Sequence, residues 1–225
     1  MAAHIYTDEE IQQNVLDELA WDPEIEATDV GVEVDDGVVT LTGTVETFAQ
    51  KWAAERAALR VEGVRAVANN VQVRPAGLGI KSDTDIARAV ANALEWNTAV
   101  PFDKIDIRVE DGRVTLEGEV EWNYQREAAE NTTRQISGVK SVLNLITVRQ
   151  PQVKPDDVRD SIERALVRHA ELDANRIKVS VEGGHITLSG TVRSWAEKKA
   201  AEDAAWRSPG VTAVTNNIRI DPSLV

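Results

Sequence analysis

Hydrophobic and polar positions follow two periods along the chain, and the order of these periods repeats three times. Apolar residues at every fourth position, such as Ile11, Val15 and Leu19, predict a helix that buries one stripe. Alternation at every second position, as at Val32 and Val34, predicts a strand with one buried face. Each repeat therefore reads as helix, strand, strand, helix, strand.

One segment occurs three times without a gap. VEVDDGVVTLTGTV (32–45) returns as IRVEDGRVTLEGEV (107–120) and as VSVEGGHITLSGTV (179–192). Self-similarity at a fixed spacing indicates tandem copies of one small unit. We predict three modules, called modules 1, 2 and 3 below, at residues 5–75, 80–150 and 154–221.

A hairpin precedes the second helix of each module, and a third strand follows that helix. The dipeptide between the hairpin strands favours a tight turn in every copy: Asp36-Gly37, Asp111-Gly112 and Gly183-Gly184. A right-handed helical crossover then places the third strand parallel to the second. The predicted fold class is α+β, with three tandem α-β-β-α-β modules, each a three-stranded mixed sheet with two helices on one face.

Glycines recur at the same three places in every module, and we interpret them as structural. They lie in the hairpin turn, within the second strand and after the second helix: Gly37, Gly43, Gly63, Gly112, Gly118, Gly138, Gly184, Gly190 and Gly210. A turn, a close approach of helix to sheet and a helix C-cap each explain such a position. A phosphate-binding P-loop is not indicated, because its G-x-x-x-x-G-K-[ST] pattern is absent.

Aromatic residues distinguish the copies. At the start of the second helix, Trp122 and Tyr124 of module 2 replace small residues of the other copies, such as Thr47. Both are candidates for a contact surface, either between modules or with an external partner. Trp21 and Trp96 end the first helices of modules 1 and 2, and we interpret them as lids over the module cores, with a binding role as the alternative.

These residues carry a family resemblance. The pattern V-x-V-x-x-G-x-V-x-L-x-G-x-V, a helix, then G-V-x-x-V-x-N resembles the BON domain, and all three modules have it. The resemblance implies a non-enzymatic binding or scaffolding protein linked to osmotic or envelope stress. It implies anionic phospholipid head groups or envelope-associated proteins as partners. The alternative is a chaperone-like or adaptor protein that binds polypeptides through sheet edges and exposed aromatic residues.

The three modules differ in net charge. The formal net charge is −13, which repels nucleic acid, so we expect no nucleic-acid partner. Residues 1–75 carry 5 basic and 15 acidic side chains, residues 76–150 carry 9 and 12, and residues 151–225 carry 11 and 11. In the neutral third, the candidate contacts for an anionic head group or for acidic module 1 are Arg164, Arg168, Arg176 and Lys178. A solvated face is the alternative.

Candidate catalytic chemistry is sparse. The chain has no cysteine, which excludes thiolate catalysis and Cys-based zinc sites. His4, His169 and His185 have no metal-ligand spacing, and paired carboxylates such as Asp35-Asp36 fall in predicted exposed turns. An asparagine before the last strand recurs in each module and is expected to bond local backbone, with ligand binding as the alternative: Asn69, Asn144 and Asn216. We predict no enzyme, no cofactor and no metal.

The sequence also lacks the patterns that are typical of a membrane span and of an export signal. No apolar run approaches the roughly 20 residues of a membrane span. The N-terminal MAAHIYTDEE lacks the basic and apolar regions of a secretory signal. We expect a cytoplasmic protein, or a periplasmic one only if a signal has been removed. The oligomeric state and the arrangement of the modules stay open at this point.

Overall fold

The computed structural model describes residues 6–25, 30–75, 81–151, 153–168 and 174–221. These residues form six α-helices and ten strands in three copies of the α-β-β-α-β unit, which confirms the predicted α+β class. Module 1 contains α1 (Asp8–Trp21), β1 (Val30–Asp35), β2 (Val38–Val45), α2 (Phe48–Arg60), β3 (Ala66–Asn69) and β4 (Gln72–Val73). Module 2 contains α3 (Asp83–Trp96), β5 (Ile105–Glu110), β6 (Arg113–Val120), α4 (Asn123–Arg134) and β7 (Ser141–Val148). Module 3 contains α5 (Pro155–Arg168), β8 (Ile177–Glu182), β9 (His185–Val192), α6 (Trp195–Trp206) and β10 (Ala213–Ile220).

Each module has the predicted mixed sheet, with the second strand of the hairpin in the middle. In module 2, β6 pairs antiparallel with β5 and parallel with β7, and module 3 repeats this order as β8, β9 and β10. Module 1 divides its last strand into β3 and β4, which both pair parallel with β2. Among the described residues, no helix is long and apolar enough to cross a bilayer.

The predicted backbone role of the glycines is confirmed. All nine have positive φ, and so do Asp36 and Asp111 in the hairpin turns. Gly118 shows why no side chain fits: its φ is +142°, and a Cβ there would lie 2.1 Å from the carbonyl oxygen of Lys104. The strand can adopt this backbone conformation, and approach Lys104 this closely, only because the residue has no side chain.

Each core forms between one stripe of the first helix and alternate residues of the strands. In module 1 the second helix contributes a face of small, fully buried residues, which lets it lie close to the sheet: Ala53, Ala54, Ala57 and Ala58. Modules 2 and 3 share one continuous hydrophobic cluster, whereas module 1 has its own. Sharing a core matters because a unit of about 65 residues buries little apolar surface by itself.

The second helices join the modules through equivalent positions. Phe48, at the start of α2, packs against the core shared by modules 2 and 3, and Trp195, its equivalent at the start of α6, packs against the core of module 1. Between α4 and α6, the Arg126 guanidinium carbon lies 4.7 Å from the ring centroid of Trp206. In each case, the first turns of one second helix contact the next module.

The contact between modules 1 and 2 has the same direction. The Arg134 guanidinium of α4, equivalent in position to Trp206, lies 4.8 Å from the ring centroid of Trp52 in α2. Module 1 thus contacts module 2, module 2 contacts module 3, and module 3 contacts module 1 in the same sense. Head-to-tail contacts that close in this way produce a ring, so the modules are related by an approximate threefold axis.

Candidate functional site

Trp21 and Trp96 are the most exposed large apolar side chains among the described residues, at 84 % and 85 %. The interpretation of these residues as lids is therefore wrong. Ile25 and its equivalent Val100, each only 8 % exposed, are buried just after the two helices. Because these aliphatic residues are packed into the cores, the tryptophans are left in solvent.

The spacing of the helix residues could have indicated this exposure. Leu19 ends the buried stripe of α1, and Trp21 follows two residues later, about 200° around a helix at 100° per residue. Leu94 and Trp96 repeat this spacing in α3. The tryptophans therefore lie off the buried stripe in both modules.

Arg168 occupies the third equivalent position and is also exposed. Equivalent residues of a ring with threefold symmetry lie at the same height along its axis. Trp21, Trp96 and Arg168 therefore lie at one level of the ring, and we call this set of exposed equivalent residues the tryptophan face. On α5, Arg164 lies four residues before Arg168 and three before the 72 % exposed Val167, so its side chain neighbours both of theirs on the helix surface.

The acidic groups near Trp21 are held by an arginine of α2. Arg60 binds Glu18 through Nε at 2.7 Å and the buried Asp22 through Nη2 at 3.0 Å. Burial would raise the pKa of Asp22, but hydrogen bonds from Arg60 and from the backbone N–H of Glu24 outweigh it and lower the pKa. Asp22 therefore stays ionised and internally paired, which reduces the negative field at this part of the tryptophan face.

The four basic residues that were predicted to form one contact surface lie in three different places in the structure. Arg164 and Arg168 lie together on α5, as expected. Lys178 alternates along β8 with buried Ile177, so it projects from the sheet face opposite the helices. Arg176 is half-buried in a 3-10 turn before β8. The candidate site therefore reduces to the two arginines of α5.

Trp122 and Tyr124 also have different surroundings. Tyr124 is 57 % exposed at the start of α4. Trp122 is half-buried and lines a cavity of ≈ 990 Å³ that Val153 and Pro209 of module 3 also line. Trp122 therefore contributes to a contact between modules, whereas Tyr124 remains available to an external partner.

The recurring asparagines accept one local backbone hydrogen bond, as predicted, and they also donate two bonds to the second helix, which the prediction did not include. Asn144 Nδ2 donates to the carbonyl oxygen of Arg126 at 3.1 Å and to Glu130 Oε2 at 3.0 Å, and its Oδ1 accepts from the N–H of Ile146 at 3.1 Å. The equivalent residues make the same three bonds in the other modules: Asn69 and Asn216. These residues tie the last strand to the second helix.

The remaining polar candidates do not converge. His185 is exposed, with Nε2 2.8 Å from Thr215 Oγ1, while His4 and His169 lie outside the described residues. Within the described part of the chain, no three His, Asp or Glu side chains cluster in a way that could hold a metal ion. The absence of an enzyme, a cofactor or a metal therefore stays a prediction.

Comparison with known proteins extends the resemblance. The BON domain profile matches residues 7–75, 82–150 and 155–222. Osmotically-inducible protein Y of Escherichia coli (strain K12) is 36 % identical over 124 residues, which span 53 % of this chain and 62 % of that protein. A protein of Anaplasma centrale, described as an uncharacterized protein in the gshII 5' region, is 32 % identical over 128 residues, spanning 54 % of this chain and 85 % of that one.

Two solved structures align along most of the chain. CdsD, a structural protein of the type III secretion system of Chlamydia trachomatis, has 17 % identity and a TM-score of 0.28, covering 93 % of this chain and 91 % of that one. The periplasmic domain of the inner-membrane protein PrgH from S. typhimurium has 14 % identity and a TM-score of 0.23, covering 86 % and 95 %. The three sequence matches cover nearly the whole chain, and the described modules share one topology. The chain belongs to the BON domain family, with three BON domains in tandem.

Proposed function

We propose that this protein is a non-enzymatic scaffold that binds anionic phospholipid surfaces through its tryptophan face. The observation that carries the proposal is the exposure of Trp21 and Trp96, at 84 % and 85 %, at equivalent positions of a ring whose third position is Arg168. The similarity to an osmotically inducible protein supports a role in osmotic stress.

The residue types suit a bilayer interface. Tryptophan prefers the head-group level of a membrane, because its ring is apolar and its N–H is polar. Arg164 and Arg168 flank the exposed Val167 on α5 and have no ion-pair partner in the described part of the chain. A basic residue near an anionic leaflet contributes about 1 kcal/mol to binding. Module 3 would therefore dock first, and the tryptophans of modules 1 and 2 would insert.

The net charge of −13 does not prevent this mode of binding. Screening limits the reach of a surface charge to about 8 Å at physiological salt. The two arginines of α5 therefore act locally, and Arg60 already pairs Glu18 and Asp22 near Trp21. Binding should weaken as salt increases, because the docking of module 3 through its two arginines is electrostatic.

Vesicle cosedimentation of the whole protein tests the proposal. We expect binding to vesicles that contain phosphatidylglycerol and little binding to pure phosphatidylcholine. Arg164→Glu with Arg168→Glu should weaken binding at least tenfold, since two attractive charges become repulsive. Trp21→Ala with Trp96→Ala should weaken it by about tenfold while leaving the preference for anionic lipid intact.

A control variant with the same charge change distinguishes an effect of Arg164 and Arg168 themselves from an effect of the net charge. Arg88→Glu with Arg113→Glu alters two exposed arginines of module 2 that are not part of the tryptophan face. This variant should bind within about threefold of the native protein, because Arg88 lies eight residues, about 12 Å along α3, from Trp96, and salt weakens a charge at that distance. Equal losses in both arginine pairs, or no binding of the native protein at low salt, would contradict the proposal.

A second candidate function rests on the edge strand of module 2. Leu143 and Leu145 of β7 are 55 % and 49 % exposed on the open face of the sheet. An edge strand with exposed leucines can pair with an extended polypeptide, which fits an adaptor or chaperone-like protein. Leu143→Thr with Leu145→Asn, as in module 3, should then abolish protection of an aggregating client and leave vesicle binding unchanged.

A further inference from the structure

Two of the three hairpin turns contain an aspartate followed by a glycine. Asp36-Gly37 and Asp111-Gly112 connect the hairpin strands of modules 1 and 2, and both aspartates are exposed. Asp-Gly is the dipeptide most prone to spontaneous rearrangement of an aspartyl peptide bond. Glycine has no Cβ, so the aspartyl side chain can approach the glycine nitrogen without hindrance. The sequence of both turns therefore makes them candidates for this reaction.

The rearrangement proceeds in two steps and needs no reactant other than water. In the first step, the glycine nitrogen forms a bond to the side-chain carbon Cγ of the aspartate. The proton of the glycine N–H and the hydroxyl of the carboxyl group leave as water, which gives a succinimide ring. Water then opens the ring at either carbonyl carbon. One product is aspartate, and the other is isoaspartate, in which the main chain runs through the former side chain and is longer by one carbon atom.

An aspartate at the start of the first helix holds the N–H groups of each turn. Asp8 accepts from the backbone N–H of Asp36 at 2.8 Å and from that of Gly37 at 2.8 Å. Asp83 accepts the equivalent two bonds in module 2, at 2.8 and 2.9 Å. The glycine N–H has to lose its proton before the ring can form. A carboxylate that accepts this proton in a charge-assisted bond opposes the loss, because its negative charge disfavours a second negative charge beside it.

Module 3 has neither the Asp-Gly pair nor the carboxylate. Gly183 stands where the other turns have aspartate, and Pro155 is the first residue of its helix, where both other modules have aspartate. The shape of the turn does not exclude an aspartate, since φ of Gly183 is +54°, against +52° and +51° at the two aspartates. A Cβ on Gly183 would meet nothing within 4 Å. The Asp-Gly pair and the carboxylate therefore occur together in two modules and are both missing from the third.

We propose that the Asp-Gly turns of modules 1 and 2 are sites of isoaspartate formation, and that Asp8 and Asp83 suppress the reaction in the folded protein by holding the glycine N–H. The reaction follows local separation of the first helix from the hairpin turn. An isoaspartate then disturbs the strand register, because the tight turn fixes pairs such as Glu110 with Arg113. This inference does not depend on the tryptophan face.

Ageing of the whole protein provides the test. The protein is kept at neutral pH and physiological temperature for several weeks, and isoaspartate at each turn is measured by peptide mapping with electron-transfer mass spectrometry. A sample unfolded in guanidinium chloride gives the unprotected rate. We expect both turns of the native protein to react at least about tenfold more slowly than those of the unfolded sample, since the bond to the carboxylate is lost on unfolding.

The two turns serve as controls for each other within one chain. Asp83→Ala should accelerate isoaspartate formation at Asp111 by about tenfold or more and leave the rate at Asp36 unchanged, because only the carboxylate of module 2 is lost. Asp8→Ala should have the reverse effect. Circular dichroism of each variant establishes that it is folded.

Further variants transfer the site to module 3. Gly183→Asp introduces the Asp-Gly pair at nearly the same φ but without the carboxylate, so this turn should react about tenfold or more faster than the native turns. Adding Pro155→Asp supplies the carboxylate and should return the rate to within about threefold of the native turns. Adding Pro155→Ala instead should leave the turn of module 3 fast, because alanine supplies no acceptor.

The proposal makes four outcomes impossible. Equal rates in native and unfolded protein would show that the fold gives no protection, and an absence of isoaspartate in the unfolded sample would show that the turns are not reactive. A slow turn in Gly183→Asp would assign the protection to the turn conformation and not to the carboxylate. Equal acceleration of both turns in Asp83→Ala would indicate general unfolding and not the loss of one pair of hydrogen bonds.

Discussion

Replacing Asn144 with alanine should destabilise the protein, and the structure gives the size of the effect. The side chain bridges β7 and α4 through two donated bonds and one accepted bond. Alanine removes all three bonds. It leaves the Arg126 carbonyl, the Glu130 carboxylate and the Ile146 N–H without this partner.

Hydrogen-bond energetics set the magnitude. A neutral bond contributes about 0.5–1.5 kcal/mol net, and a bond to a charged group about 1.5–3 kcal/mol. Asn144 is half-buried, so water replaces part of what is lost. We therefore expect the free energy of unfolding to fall by about 2–3 kcal/mol.

Urea unfolding followed by circular dichroism measures this change as a lower midpoint at unchanged slope. Asn144→Asp is a matched variant that keeps the acceptor for Ile146 and replaces both donors. Its carboxylate would face Glu130, so the repulsion raises the pKa of the new group. This variant should be at least as destabilised as the alanine variant at pH 7, and should regain stability as the pH falls and the new acid is protonated.

The equivalent residues provide repetitions within the same chain. Asn69→Ala and Asn216→Ala should each cost a similar amount, because the three bonds recur in every module. An unchanged midpoint for Asn144→Ala would refute the bridging role. Native stability of Asn144→Asp at pH 7 would show that the donated bonds contribute nothing.

Three further predictions concern the backbone, pH and the ring. Gly118→Ala should cost about 3 kcal/mol or more in thermal unfolding, since the new Cβ would lie 2.1 Å from the Lys104 carbonyl oxygen, whereas Gly183→Asp should change stability by about 0.5 kcal/mol or less. Asp22→Asn should lower stability at pH 7 but not at low pH: the lowered pKa of Asp22 stabilises the fold above the ordinary value of 3.8, and this contribution is lost as the pH falls through the folded-state pKa. Trp195→Ala should speed hydrogen exchange in α2 of module 1, because Trp195 packs against that core, and unchanged exchange there would contradict the closed ring.

The sequence alone determined the architecture of each module. Helix stripes, alternating strands and turn dipeptides are local signals, because the backbone period fixes which side chains share a face. The structural role of the recurring glycines was equally predictable from the sequence, since a positive φ restricts the residue type at that position. The pairing of strands followed from the handedness of the crossover.

Only the tertiary structure decided which of the singled-out side chains are free. The helix period already places Trp21 off the buried stripe, but only the tertiary structure shows that Ile25, from the loop beyond the helix, packs into the core instead. Lys178 and Arg164 are close in sequence but project from opposite sides of module 3. The ring and its cavity depend on contacts such as Arg126 with Trp206, which join separate modules. No local period records such contacts, because they depend on how whole modules pack and not on the backbone of one segment.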